Sequence, residues 1–207
     1  NLNKGVLRMD LVQSVDRTLT ILEVLSDYSD GLGITEISER VNLHKSTVYR
    51  LLSTLIYKGY VVQDEESSKY KITFKLFELG CKKVDKLDLL KCSKPYTKML
   101  MENVNEVVHL TIREDNEIVY IDKVEANNTI IMASRIGKRN PMYCTATGKA
   151  MLAFLPEEEV LKIWKGSKII KLTENTITDF ILYKKELQEI NKIGYAIDNE
   201  ENEMGVK

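Results

Sequence analysis

The chain has 207 residues, 43% hydrophobic and 29% charged, with a formal net charge of −1. That profile fits one large globular domain or two modest ones and excludes a disordered chain. No apolar run approaches the roughly 20 residues that a membrane-spanning helix needs, residues 1–14 lack the apolar centre of a signal peptide, and the widely spaced Cys81, Cys92 and Cys144 form no C-x-x-C pair, so a cytoplasmic protein with reduced thiols is expected.

In chain order, residues 11–28 place Val15, Leu19, Leu22 and Leu25 at helical spacing, with Val12, Ile21 and Val24 beside them. The polar stretch 27–33, with its two glycines, ends this helix. Ile34, Ile37 and Val41 mark a short second helix, with Thr35 as its expected N-cap. After a tight turn at 42–44, Ser46 and Thr47 open a third helix whose core face is Val48, Leu51, Leu52, Leu55 and Ile56. Gly59 stands where a left-handed C′ glycine would stop it. Residues 60–63 and 70–73 are strands, and the charged turn 64–69 makes them a β-hairpin. Three helices and a hairpin over residues 15–72 follow the winged helix-turn-helix plan, with the recognition helix at about 45–58.

Charge is unevenly distributed over this region. Between Arg40 and Gln63 there is no Asp or Glu, while Arg40, Lys45, Arg50 and Lys58 sum to +4. Acid lies on both sides, at Glu36 and Glu39 and at Asp64, Glu65 and Glu66. A small footprint on phosphates explains this pattern, and so does a merely solvated basic face.

Residues 75–94 read as a linker helix carrying Leu76, Leu79, Val84, Leu87, Leu89 and Leu90, interrupted at Gly80 and followed by a new helix or turn at Pro95. Two copies of the chain can pair along its apolar face. A second domain mixes strands at 107–113, 118–124 and 129–136 with helices at 146–155, from 156 and at 180–193. In the last helix Leu182, Leu187, Ile190 and Ile193 are expected to face inward, with Gly194 closing it and a further strand at 195–197. Another strand is about to begin at Gly205, Val206 and Lys207, so a further C-terminal portion is expected. The reading is therefore α+β: 9–74 a winged helix-turn-helix domain, 75–94 a linker helix, and 95–207 an incomplete second domain of strands and helices.

Several stretches resemble the IclR family of bacterial transcriptional regulators, in order and at similar spacing. They are 12–17 (VQSVDR), 37–39 (ISE), 46–52 (STVYRLL), 76–80 (LFELG), 119–124 (VYIDKV), 145–150 (TATGKA) and 194–201 (GYAIDNEE). The resemblance implies an N-terminal winged helix and a C-terminal GAF-like antiparallel-sheet domain that binds an effector. It also implies a homodimer, or a dimer of dimers, on double-stranded operator DNA. Effectors in such proteins are small organic acids, sugar acids or aromatic carboxylates, and repression is the expected direction of control.

A recognition helix reads base edges with its N-terminal residues. Here these are His44, Lys45, Ser46, Thr47, Tyr49 and Arg50. Helical spacing turns Lys45, Ser46, Tyr49 and Arg50 away from the core face. Arg50 is placed for a bidentate guanine contact or a phosphate clamp. Ser46 and Thr47 either donate to phosphate or only cap the helix. Gln13, Ser14 and Arg17 match family positions that touch the DNA backbone. Lys69 and Lys71 in the wing can reach a groove or a phosphate, whereas the acidic residues 64–66 keep the wing tip clear of the duplex.

For the effector, residues 145–150 run from a loop into a helix, so the N–H groups of Ala146, Thr147 and Gly148 are expected to be free for a carboxylate. By resemblance, Ala146 and Thr147 are the backbone donors, Asp198 the polar ligand and Val206 an apolar wall. Thr129, Met132 and Asn140 match pocket positions, and Asn140, where leucine is usual, points to a more polar effector. A solvated acidic turn at 198–201 and a plain core role for Met132 stay open. His109 reads as structural. Cys144 has no ligand-type partner spacing, which leaves a metal- or redox-sensing regulator as a weak alternative. No metal and no cofactor is expected. Nor is an enzyme, because no Ser/His/Asp set and no phosphate-binding loop is present; a GAF-type metabolite sensor or enzyme whose helix-turn-helix does not read DNA is the other alternative.

Overall fold

A computed structural model describes residues 11–126 and 135–206, in two units that divide between Lys86 and Leu87. In the first, helices α1 (Gln13–Ser26), α2 (Ile34–Arg40) and α3 (Lys45–Tyr57) precede an antiparallel hairpin of β1 (Val61–Gln63) and β2 (Tyr70–Ile72). Val48, Leu52 and Leu55 from α3 pack with Ile21, Leu22 and Leu25 from α1, Ile37 from α2, and Val61 and Tyr70 from the hairpin. Leu32 extends the hairpin by exchanging both backbone hydrogen bonds with Tyr70, at 3.1 and 2.8 Å. At the end of α3, Gly59 takes φ +77°. Its N–H donates to the Ile56 carbonyl and that of Tyr60 to Leu55, both at 2.9 Å. This double bond satisfies carbonyls that the helix end would otherwise orphan, as Gly59 led one to expect.

Three expectations for this region are corrected. The second helix begins at Ile34, not after a Thr35 cap: Gly33 is its N-cap, and the Gly33 N–H donates to the Glu36 carboxylate at 2.8 Å. Val15 and Leu19 are 55% and 54% exposed, because only the C-terminal half of α1 reaches the core. The linker is two helices, α4 (Lys75–Val84) and α5 (Asp88–Val104), rather than one. The break falls at 85–87, where Leu87 is extended and Asp88 starts a new acidic first turn. Gly80 costs a helix only about 1 kcal/mol and stays within α4. Pro95 lies inside α5, where it withdraws a single donor from the ladder.

The second unit follows α5 with an antiparallel sheet in the order β3 (Val108–Glu114), β4 (Glu117–Val124), β5 (Arg139–Pro141). Asp115, at φ +57°, makes the β3–β4 turn. A 3₁₀ turn (Met142–Cys144) leads into α6 (Ala146–Leu152), α7 (Glu157–Gly166) and α8 (Phe180–Ile193). Ile118, Met142, Tyr143, Leu152, Val160, Ile163, Tyr183, Leu187 and Ile190 form the core. Trp164 stacks on Tyr183 with ring centres 4.5 Å apart.

Here too the structure differs from expectation. α8 buries Tyr183, Leu187 and Ile190, while Leu182 and Ile193 are exposed. The Tyr183–Trp164 stack and the Asp179 cap, which accepts the Leu182 N–H at 2.9 Å, fix that rotation. The helix expected over 146–155 ends at Leu152. Residues 195–197 join no strand among the described residues, so they have no ladder partner there. The strand expected at 129–136 lies largely outside the described residues.

Gly148 sits against the backbone of Met142: a Cβ placed there would come within 2.3–2.7 Å of its O, Cα and C atoms. Gly148→Ala is expected to lower stability by about 1–3 kcal/mol through overpacking, read as an earlier thermal transition. An unchanged transition would show that α6 does not pack this closely.

Candidate functional site

The outward side of α3 follows from its buried side. With Val48, Leu52 and Leu55 inward, Lys45, Ser46, Tyr49 and Arg50 are exposed. Thr47 is half-buried, and His44 is exposed at the N-cap. No acid lies in the first turn. The capping reading of Ser46 and Thr47 is corrected: the helix starts at Lys45, its N-cap is His44, and no side chain caps it. The Thr47 and Val48 N–H groups instead donate to the His44 carbonyl at 2.9 and 3.1 Å. Arg40 is drawn elsewhere, with its guanidinium 4.8 Å above the Tyr28 ring and Nε donating to the Tyr28 hydroxyl at 3.1 Å.

Gln13 and Ser14 are exposed in the first turn of α1, and Arg17 is half-buried one turn on. Lys69 is half-buried beside β2. Lys71 pairs with Asp64 at 3.8 Å. The Ser67 N–H and hydroxyl both donate to Asp64, which holds its carboxyl below the ordinary range. The wing tip is thereby fixed as an acidic turn.

In the second unit Thr145 caps α6. Its hydroxyl donates to the Pro141 carbonyl at 2.9 Å and accepts the Gly148 N–H at 3.3 Å. Gly148 is therefore not a free donor, contrary to expectation; Ala146 and Thr147 are half-buried ahead of it. Asp198 is itself a turn cap, accepting the N–H groups of Glu201 at 2.8 Å and Asn202 at 3.4 Å through one oxygen. The turn it caps is tied to residues 142–149 in two places. Cys144 Sγ donates to Asn202 Oδ1 at 3.6 Å, and Lys149 Nζ pairs with Glu201. Two segments of the expected effector site thus come together. Asn140 lies on β5, with its amide 3.5 Å from the Tyr120 hydroxyl, and Val206 is exposed. Thr129 and Met132 lie outside the described residues.

Lys149 stands in the 145–150 motif, but nothing local in the sequence assigns it a role. It is fully buried and also pairs with Glu186 at 3.2 Å. Its main partner lies 52 residues away, so no local pattern announces the pair. Burial raises the Glu201 carboxyl more than Lys149 lowers it. Threonines 173 and 176 hold the same turn by donating to the carbonyls of Glu200 and Glu201, each at 2.6 Å. The Cys144 thiol is buried and pushed up to about 12, by burial first and then by Asp198 and Glu201. A thiolate sensor needs the opposite shift. His109 meets the Tyr120 ring edge to face at 5.1 Å, and burial lowers its basicity.

Comparison with known proteins agrees with this two-part organisation. The profile of the IclR helix-turn-helix domain matches residues 14–65, and that of the bacterial transcriptional regulator IclR C-terminal region matches residues 81–207. The HTH-type transcriptional regulator KdgR of Escherichia coli K12 is 41% identical over 198 residues, which cover 96% of this chain and 75% of the relative. The DNA-binding transcriptional repressor YiaJ of the same organism is 35% identical over 94% of this chain and 70% of its own. The crystal structure of the Thermotoga maritima IclR superposes with a TM-score of 0.76 at 34% identity, covering 94% of this chain and 78% of that one.

The buried pair gives a direct test of the site's electrostatics. Lys149→Met leaves Glu201 buried without its nearest cation and is expected to cost about 3–5 kcal/mol in urea unfolding. Adding Glu201→Leu should recover most of that loss. Equal losses in the single and double variants would show that the pair is not what the turn depends on.

Proposed function

We propose a ligand-controlled reader of operator DNA, starting from the fact that this chain belongs to the IclR family of bacterial transcriptional regulators. The observation that carries the proposal is the outward side of α3: Lys45, Ser46, Tyr49 and Arg50 stand exposed on a helix with no acid in its first turn. Arg50 supplies the fork that fits the O6 and N7 edge of guanine or a phosphate. Lys45, the Ser46 and Thr47 hydroxyls and His44 add phosphate or base contacts. Gln13, Ser14, Arg17 and Lys69 fix the register on the backbone. The protein acts as a homodimer, alone or paired with a second dimer, so its half-sites are palindromic and spaced by about 34 Å or a multiple of it.

In this reading residues 9–74 read DNA, 75–94 connect, and 95–207 bind the effector. The effector is a small carboxylate, held by the Ala146 and Thr147 backbone and by Asp198. Its support is the docking of the 198–202 turn against residues 142–149 through Cys144 and Lys149. Repression is the direction of control, in keeping with the relative that carries that name. Effector binding favours one arrangement of the dimer and so changes operator affinity.

Arg50→Ala is expected to weaken operator binding at least tenfold in a mobility-shift assay, the loss of a bidentate contact worth about 1–3 kcal/mol, without moving the melting temperature. Binding that survives unchanged would place the reader elsewhere. In a thermal-shift screen of small organic and sugar acids, a true effector raises the unfolding temperature. The shift should disappear in Asp198→Ala; a hit that persists there would place the effector at another site.

A further inference from the structure

Among the described residues, two buried side-chain atoms have no hydrogen-bond partner in the protein: the Tyr183 hydroxyl and Glu201 Oε2. Tyr183 is 0% exposed and Glu201 4%. Buried groups left unpaired each cost about 1–3 kcal/mol, and native interiors seldom tolerate them. Two such atoms in one cluster therefore call for a shared explanation.

Lys149 links the two elements that carry them, and Glu201 is the first charge that acts on the Tyr183 hydroxyl. Tyr183 and Glu186 lie one turn apart on α8. Glu186 is 3.2 Å from Lys149 Nζ, and Lys149 Nζ is bonded to the other Glu201 oxygen, Oε1. The Glu201 carboxylate is thus held between α6 and α8, and its charge acts on the Tyr183 hydroxyl. One atom of the pair is a phenol that must donate and the other a carboxylate oxygen that must accept. The two do not bond to each other. Protonating Glu201 does not help: Oε2–H could then donate to the Tyr183 oxygen, but the Tyr183 proton would still lack an acceptor.

We infer that the junction between Tyr183 on α8, Lys149 on α6 and the Glu201 turn is a binding site for one internal water molecule. A water accepts from the Tyr183 hydroxyl and donates to Glu201 Oε2, and it has a further lone pair for a Lys149 N–H. Internal waters commonly make about three such bonds, and the site's full burial and mixed donor and acceptor lining meet that requirement. The water makes α8 the third element, after α6 and the 173–176 loop, to grip the turn that Asp198 caps. It lies outside the proposed effector contacts, and its test does not depend on them.

Tyr183→Phe distinguishes the two cases by the sign of its effect. If the hydroxyl holds a water against Glu201, the variant loses that bond and the thermal transition of the full chain falls by several degrees. If the hydroxyl is a true orphan, its removal is neutral or raises the transition, and the inference fails. A crystal structure of the unaltered protein at a resolution that shows ordered waters is the second measurement. It should show a water within hydrogen-bond distance of both Tyr183 Oη and Glu201 Oε2. A direct Tyr183–Glu201 bond, or a dry contact, would overturn the proposal.

Discussion

The first unit depends on the burial of one side of α3. Val48 and Leu52 are fully buried, and Leu55 nearly so. Each buried aliphatic side chain contributes about 1.5–3 kcal/mol relative to exposure, far more than any surface charge on the same helix. Apolar packing therefore sets the rotation of α3. The positions of Lys45, Ser46, Tyr49 and Arg50 are consequences: Val48, Leu52 and Leu55 share one face at i, i+4 and i+7, and these four residues lie off that face. The double hydrogen bond closed by Gly59 then turns the chain at once into β1, which keeps the hairpin beside the same core. The polar side chains of the proposed reader thus stand on a frame held by something else.

The second unit meets a harder physical problem. It buries a lysine completely, and desolvating an ammonium costs several kcal/mol unless well-placed partners offset it. Glu201 and Glu186 supply the charge. Threonines 173 and 176 hold the Glu201 segment in place by its carbonyls. Such a junction is weak evidence for stability but specifies geometry, because any other placement of the turn strands a charge. That turn is the one capped by Asp198.

Legibility in the sequence followed the range of the interaction. The helices at 13–26, 45–57 and 180–193 and the hairpin at 61–72 carry local signals, namely period-3.6 spacing, a C′ glycine and a charged turn between apolar runs. All four stand close to where those signals put them. The differences arise where another contact or a local cap overrides the spacing cue. Gly80 looks like a breaker, yet the chain breaks at 85–87, where Leu87 turns extended. Leu182 fits the inward stripe of α8, but Tyr183 takes its place by stacking on Trp164. Thr145, not the loop as a whole, decides which α6 donors are free, and it removes Gly148 from the set. The pairing of Lys149 with Glu201 spans 52 residues and was invisible to any window. Among the proposed contacts, the α3 residues were therefore readable from periodicity, while those around Asp198 rested on family resemblance.

The claim that the outward side of α3 is the reader is tested most directly by a structure of the full chain bound to a duplex carrying its palindrome. The account predicts α3 in the major groove, with Arg50 and Lys45 at base edges or phosphates and the acidic 64–66 wing tip clear of the DNA. A complex in which the duplex sits on another surface and leaves Lys45, Ser46, Tyr49 and Arg50 in solvent would contradict it.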